Sequence, residues 1–369
     1  MTHRSSMDRS RRSLSLSPMI VLIIVVALLL LDWLGVMDVD NLLGGHGPVV
    51  ENPTGTWYQV YFTSPRYPDQ PEDHHGGLDE KLAAAIAQAQ STIDMAVYKL
   101  DLDTVTEALI AAHKRGVRVR LVTDTEYVDE MAIRRLKSAG IPVVDDRRNS
   151  LMHDKFVVID GNVVWTGSWN FTINGTYRNN NGVIVITSPA LAENYITEFE
   201  EMFKKHSFGP DSPANTPYPR VVIGDTAIEN YFAPEDGVAE HLIALINGAQ
   251  HSVRFMVYSF TSDEIGEAIL RQARRGVQVQ GVIEGRGTES EYGEYDKFRQ
   301  ARLDVRLDGN PYFMHHKVLI IDEQTVALGS YNFTANAEKY NDENVLIIHD
   351  PDIAALYLEE FQRVYAQGQ

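Results

Sequence analysis

Two histidine–lysine pairs recur in one register. His153-Asp-Lys155-Phe-Val-Val-Ile-Asp160 is followed 162 residues later by His315-His-Lys317-Val-Leu-Ile-Ile-Asp322. Each copy leads into a matching block at the same offset, Gly167-Ser168-Trp-Asn170-Phe-Thr and Gly329-Ser330-Tyr-Asn332-Phe-Thr. A single His-x-Lys-x4-Asp fixes three common residue types and says little; two copies, each with its own partner block, define a duplication. In a strand, residues i and i+2 face the same side, so each imidazole points the same way as its ammonium. Asn170 and Asn332 arrive on the next strand-like segments and add amide donors. Together the two halves would surround an anion with four donors and two imidazoles. That set suits a phosphodiester: donors hold the non-bridging oxygens, one histidine attacks phosphorus, and the other protonates the leaving oxygen. No metal is required for this chemistry, and no Asp/Glu cluster of the usual metal-binding kind accompanies the motifs.

Other polar residues read as structural. Asp160-Gly161 and Asp322-Glu-Gln look like the turns that end the motif strands, so the two aspartates support the site without entering it. Asn170-Phe-Thr, Asn174-Gly-Thr and Asn332-Phe-Thr match the N-glycosylation sequon, but a glycan at Asn170 or Asn332 would block the site. His74-His75 sits in a Pro/Asp/Gly-rich stretch and reads as a solvated loop.

The elements that must position these groups also come in two copies. Thr92 to Tyr98 reads as a strand, Val105 to Ala112 as a helix ending Lys114-Arg115-Gly116, and Val117 to Asp124 as a second strand. Ser252 to Tyr258, a helix through Leu270, Arg274-Arg275-Gly276 and Val277 to Glu284 repeat that order at an offset of 160. The basic pairs are helix C-terminal cations before a glycine cap. Strand–helix–strand order predicts a largely parallel sheet with helices packed on it. Amphipathic helices, Ala190 to Phe203 and Pro351 to Tyr365, close the two units. The fold class is therefore α/β, with two similar halves at 57–209 and 227–369 and a turn-rich linker at 210–226.

The chain has 369 residues, 44% of them hydrophobic, which is enough for two core-bearing domains. Cysteine is absent, which excludes a disulfide framework, a thiolate metal site and a cysteine nucleophile. The formal charge of −18 gives little long-range attraction to polyanions, so any nucleic-acid contact must be local to a cleft. Residues 1–17 form a basic tail containing Arg4, Arg9, Arg11 and Arg12, and Met19 to Leu31 is an unbroken apolar run extended to Met37. Residues 18–37 reach the ~20 residues of a membrane span. The basic flank predicts a cytoplasmic N-terminus with everything beyond residue 38 outside. The expectation is a single-pass signal anchor with a linker at 38–56; secretion after signal cleavage is the alternative.

The paired blocks resemble the phospholipase D superfamily, from about Trp57 to the C-terminus. The resemblance implies that the two motifs meet across a pseudo-two-fold axis to form one site, and that the reaction runs through a covalent phosphohistidine without metal or other cofactor. Carried over, it implies a site of His153, Lys155, Asn170, His315, Lys317 and Asn332. The family also places an acid on the strand after the asparagine, oriented toward the histidine of the other motif. Glu343 holds that place in the second half, whereas its counterpart in the first is Asn181. Glu343 would then hold His153 as nucleophile and leave His315, supported by Asn181, as the general acid.

The Gly-Ser-(Trp/Tyr)-Asn-Phe-Thr blocks and Ala337-Glu338-x-x-Asn341-x-Glu343-Asn344 are similar to the superfamily's small bacterial nuclease branch. The expected function is a phosphodiesterase acting on nucleic acid. The alternative is a phospholipase D or phosphatidyltransferase, for which the membrane segment and net charge speak. A non-catalytic binding module fits poorly, because both His-Lys-Asn sets are intact. One chain can form a complete site, so oligomeric state is left open.

Overall fold

Among the described residues fifteen short strands build two sheets, one from each half of the sequence. In the computed structural model the described residues are 57–286 and 293–369, all within one compact unit, Pro48–Gln369. The expected basic tail, membrane segment and following linker lie outside the described residues. Among the described residues no helix is long and apolar enough to cross a membrane.

The first half supplies β1 (Tyr58–Phe62), β2 (Thr92–Val97), β3 (Arg118–Thr123), β4 (Val143–Asp145), β5 (Lys155–Ile159), β6 (Val163–Gly167) and β7 (Gly182–Thr187), ordered β1-β7-β6-β5-β2-β3-β4 across the sheet. The second supplies β8 (Arg220–Ile223), β9 (Thr226–Ala233), β10 (Ser252–Val257), β11 (Gln278–Ile283), β12 (Asp304–Leu307), β13 (Lys317–Ile321), β14 (Thr325–Gly329) and β15 (Glu343–His349), ordered β12-β11-β10-β13-β14-β15-β9-β8. Only the helix-connected strands are parallel, β2-β3-β4 and β10-β11-β12. The motif strands pair antiparallel with their neighbours. The sheets are therefore mixed and not largely parallel as the strand–helix–strand order suggested. The reason is connection length: a turn of a few residues can return the chain only antiparallel, and β5–β6 and β13–β14 are joined that way. Part of the stretch read as a linker is also strand, since β8 and the start of β9 fall inside it.

Burial follows from the composition of these strands. β5 and β13 are buried along their whole length, so both faces of the sheet are covered. The outer faces carry separate cores with helices such as Leu78–Gln88 and Asp103–Lys114 in the first half, and Val238–Gly248 and Asp263–Arg274 in the second. The inner faces share one core, where Phe156, Tyr195 and Phe199 meet Phe232, Tyr357 and Phe361. The helices Pro189–Glu200 and Pro351–Gln367 contribute to that shared core, which welds the halves together. Gly116 and Gly276 take φ of +95° and +92° at helix ends, as the glycine caps require.

Each motif strand is pinned at its far end by its aspartate. Asp160 takes φ +53° and accepts the backbone N–H groups of Gln90, Ser91 and Thr92 at 2.7–2.9 Å. Asp322 repeats this at φ +52° with Gln250, His251 and Ser252 at 2.7–2.8 Å. Five residues of strand put each carboxylate ~16 Å from the lysine of its motif, so neither reaches the chemistry. These hydrogen bonds hold both carboxylates below the usual aspartate range, although partial burial opposes them. A depressed folded pKa means the stabilisation is complete above the unfolded value near 4 and is lost as pH falls through the folded one. Asp160→Asn and Asp322→Asn should each lower the unfolding free energy by about 1–2 kcal/mol at pH 7 while sparing kcat. Urea denaturation should show the difference from wild type shrinking below about pH 4.

Candidate active site

The two motifs are joined by four backbone hydrogen bonds that obey the 162-residue symmetry. Asp342 N donates to Leu151 O and His153 N to Asp342 O, both at 3.0 Å. Asn180 N donates to Phe313 O and His315 N to Asn180 O, both at 2.9 Å. The resulting bridges, Met152 with Asp342 and Asn180 with Met314, set each histidine against the loop that precedes the last inner strand of the other half. Both histidines lie just ahead of their strands, with Lys155 and Lys317 as the first strand residues.

Glycine makes the adjoining turns possible. Gly167 and Gly329 have φ of +152° and +155°, and a Cβ at either would collide with the carbonyl oxygen of Gly182 or Asn344. This close approach lets Ser168 and Ser330 follow directly and bond back: Gly182 N donates to Ser168 Oγ at 3.1 Å and Asn344 N to Ser330 Oγ at 3.0 Å.

The environments of the two imidazoles are alike in plan and different in charge. His153 Nδ1 lies 2.7 Å from Glu343 Oε2, and the ring is also hydrogen-bonded to the backbone of Ser330. His315 Nδ1 lies 3.0 Å from Ser168 O and 3.1 Å from Asn181 Oδ1. A carbonyl oxygen can only accept, so His315 Nδ1 carries hydrogen and the lone pair of its neutral ring falls on Nε2. The Asn181 amide is oriented from outside: its Nδ2 donates to Gly175 O at 2.9 Å, and Ser168 Oγ donates to its Oδ1 at 2.9 Å. Gly175 belongs to a π-helical turn, Asn174–Arg178, whereas the matching segment of the second half is the α-helix Ala335–Lys339.

Lys155 and Lys317 are 2% exposed, and each donates to the carbonyl of its own motif histidine, at 2.6 and 2.8 Å. Their ammonium groups lie 5.2 and 4.7 Å from the ring centres of Tyr98 and Tyr258. The same rings stand 4.9 and 4.6 Å from the imidazoles of His153 and His315. Burial lowers both lysines, Lys155 to about 8, with Glu343 opposing the shift at each. Burial and the two ammonium groups hold both imidazoles well below the ordinary histidine range. Desolvation pushes Glu343 up to about 8. Asn170 and Asn332 each keep a buried amide oxygen without a hydrogen-bond partner among the described residues.

The structure thus brings together His153, His315, Lys155, Lys317, Glu343, Asn181, Ser168 and Ser330, with Asn170 and Asn332 on the turns beside them. Asp160 and Asp322 stand at the opposite ends of the strands. His74 is no free loop residue: its Nε2 lies 2.8 Å from Asp69 Oδ1 and its ring stacks on Tyr177 at 4.1 Å.

Sequence reasoning missed two symmetric pairs. Tyr98 and Tyr258 wall the histidines. Asp124 and Glu284 accept the backbone N–H groups of Met152 and Met314, at 3.0 and 2.7 Å, and so fix the residue before each histidine. Burial raises these carboxyls to about 6 and about 7. Both pairs are related by the 160-residue offset of the preceding strands, and that repetition was the signal available.

A duplicated α/β scaffold that aims two imidazoles and two ammonium groups into one site defines a phosphodiester hydrolase. The chain belongs to the family described as "Cardiolipin synthase, PLD-like domain", which matches residues 82–203 and 242–365, one copy in each half. A mitochondrial cardiolipin hydrolase of Xenopus tropicalis is 32% identical over 138 residues, covering 37% of this chain and 66% of that protein. A phospholipase D of Rickettsia felis is 29% identical over 163 residues, covering 44% and 82%. Among solved structures, the phospholipase D family member Nuc of Salmonella typhimurium is 33% identical, covering 39% of this chain and 97% of its own, with a TM-score of 0.37. Phosphatidylserine synthase of Haemophilus influenzae, at 14% identity, covers 79% and 84% with a TM-score of 0.61 and shares the fold.

The charge balance predicts a pH dependence. As pH rises through about 8, Lys155 loses its proton, and with it one of the two positive charges that hold the diester. For an anionic diester, kcat/KM should therefore fall above about pH 8. It should not fall between pH 7.5 and 6.5, where the imidazoles stay neutral in the free enzyme. Steady-state rates on a p-nitrophenyl phosphodiester check both limbs.

Proposed function

We propose that this chain hydrolyses nucleic-acid phosphodiesters through a covalent phosphohistidine, with no metal in the reaction. One observation carries the division of labour: the Nδ1 of His153 faces a carboxylate residue, and that of His315 faces an amide. Positive charge developing on His153 during attack favours ionisation of Glu343, whose carboxylate then stabilises that charge. An amide stabilises an imidazolium less, which makes protonated His315 the stronger acid. The bound diester adds negative charge beside the two ammonium groups and so favours protonation of His315.

In the first step His153 Nε2 forms a bond to phosphorus, the bond to the leaving oxygen breaks, and that oxygen takes the Nε2 proton of His315. In the second step His315 removes a proton from water, whose oxygen attacks phosphorus and frees His153. Lys155, Lys317, Asn170 and Asn332 hold the non-bridging oxygens. What supports nucleic acid over lipid is the character of the surface. The exposed large hydrophobics among the described residues are Tyr67, Met131, Tyr218, Val222 and Tyr340, from four segments. The second reading, a phospholipid substrate, is favoured by the apolar run Met19 to Leu31, which would hold the domain beside a bilayer. A single-pass anchor at 18–37 with an extracytoplasmic catalytic domain belongs to either reading.

The test uses the protein without residues 1–40, with EDTA present, on single-stranded DNA, plasmid, RNA, and phosphatidylcholine or cardiolipin vesicles. Cleavage of nucleic acid is the expected result; consumption of lipid alone selects the second reading, and inactivity on all of them overturns both. His153→Ala and His315→Ala should each lower kcat by about 10³-fold or more. Quenching in alkaline detergent, where a phosphohistidine survives, should trap labelled phosphoryl enzyme in His315→Ala with an activated aryl ester, and never in His153→Ala.

A further inference from the structure

The surroundings of the two tyrosines that wall the site differ in a way the catalytic steps do not use. In the first half the space beside Tyr98 is filled. Tyr127 stands edge-on to it at 4.9 Å, with the hydroxyls 3.4 Å apart, and the Lys99 ammonium lies 4.6 Å from the Tyr127 ring centre. At the 160-residue offset the second half has Ser259 in place of Lys99. The lysine that lies over Tyr127 in the first half therefore has no counterpart. Beside Tyr258 a pocket of about 140 Å³ opens, lined by Ser259, Thr261, Glu284, Arg286 and Tyr295. Tyr258 is the shared wall, with one side on this pocket and its ring 4.6 Å from His315.

We propose that this pocket is the leaving-group subsite and seats the nucleobase of the departing nucleoside. The inference rests on the nuclease reading above and on His315 as the acid. In-line displacement puts the leaving oxygen opposite the His153–phosphorus bond, beside the group that protonates it. The leaving nucleoside then lies on the His315 side, where Tyr258 borders the open space. The volume is well below the ~300–1,000 Å³ of a pocket for a drug-sized ligand and suits one planar ring system. Tyr258 and Tyr295 supply aromatic walls, while Ser259 and Thr261 bring hydroxyls that can bond a base edge and Arg286 is held by the Pro311 and Tyr312 carbonyls. Departure of the nucleoside clears the same space for the attacking water.

The full-length chain is assayed on thymidine dinucleotide and on two analogues, each abasic on one side. The product that carries the free hydroxyl identifies the leaving side. Removing the leaving-side base should cut kcat/KM about 10-fold, the scale of one stacked base, and removing the retained base should cost much less. Ser259→Trp, which fills the pocket, should collapse the ratio between the intact and the leaving-side abasic substrate to near one. Ser259→Lys, which restores the first-half residue, should do the same if the tryptophan variant does not fold. Equal losses from either abasic analogue, or a ratio unchanged in a folded filled variant, would overturn the subsite while leaving the nuclease reading intact. Failure of the unaltered chain to cut DNA or the dinucleotide, with lipid consumed, would overturn both.

Discussion

Two ammonium groups buried in one site repel each other, and neither has the water that would screen it. Much of the local structure answers that constraint. Each lysine spends a donor on the carbonyl of its own motif histidine and lies near a tyrosine ring. Glu343, Asp124 and Glu284 bring negative potential from three directions, and all three are themselves displaced upward by burial. A diester anion resolves the conflict better than any of these groups, because it brings its own charge to the point where the two halves meet. The free site is held slightly out of balance, and substrate binding restores it.

The duplication supplies the frame, and departures from it supply direction. Backbone bridges, motif strands, capping aspartates and walling tyrosines are all paired. The residue between each histidine and lysine is not. Asp154 is bound at 2.6 Å by Asn344 of the opposite half, an asparagine that also accepts from Thr166 and Tyr195. His316 instead lies 2.8 Å from Glu360 on the last helix. Glu360 is bound by Arg363, whose other bond goes to the Thr63 carbonyl of the first half. Thr63 in turn accepts the backbone N–H of Asn181. Two different fasteners thus close the back of the site, one running from the first motif and one from the second.

Much of this was legible because identical offsets force identical positions. The His-Lys pairs, the Gly-Ser turns and the asparagines could be placed from spacing alone. The contrast of Glu343 with Asn181 followed from the family resemblance, which places an acid at a position where the first copy has an amide. The mixed sheets were not legible, since pairing direction depends on how the turns after Asp160 and Asp322 fold back. Tyr98, Tyr258, Asp124 and Glu284 were passed over as ordinary strand ends, since each copy alone gives no reason to single them out. Asn181's orientation could not be read either: it is fixed by the carbonyl of Gly175, and a carbonyl has no signature in sequence.

The pairing of His153 with Glu343 spans 190 residues. A polypeptide growing from its N-terminus completes its first sheet, with histidine, lysine and asparagine in place, long before the partner carboxylate is made. The last fastener arrives later still, with Arg363 on the closing helix. Until then the first half has no counterpart to share its substrate and no second imidazole to release a product. A chain that ends before residue 315 carries one imidazole and one ammonium group of the site and lacks the contact that Glu343 makes with His153.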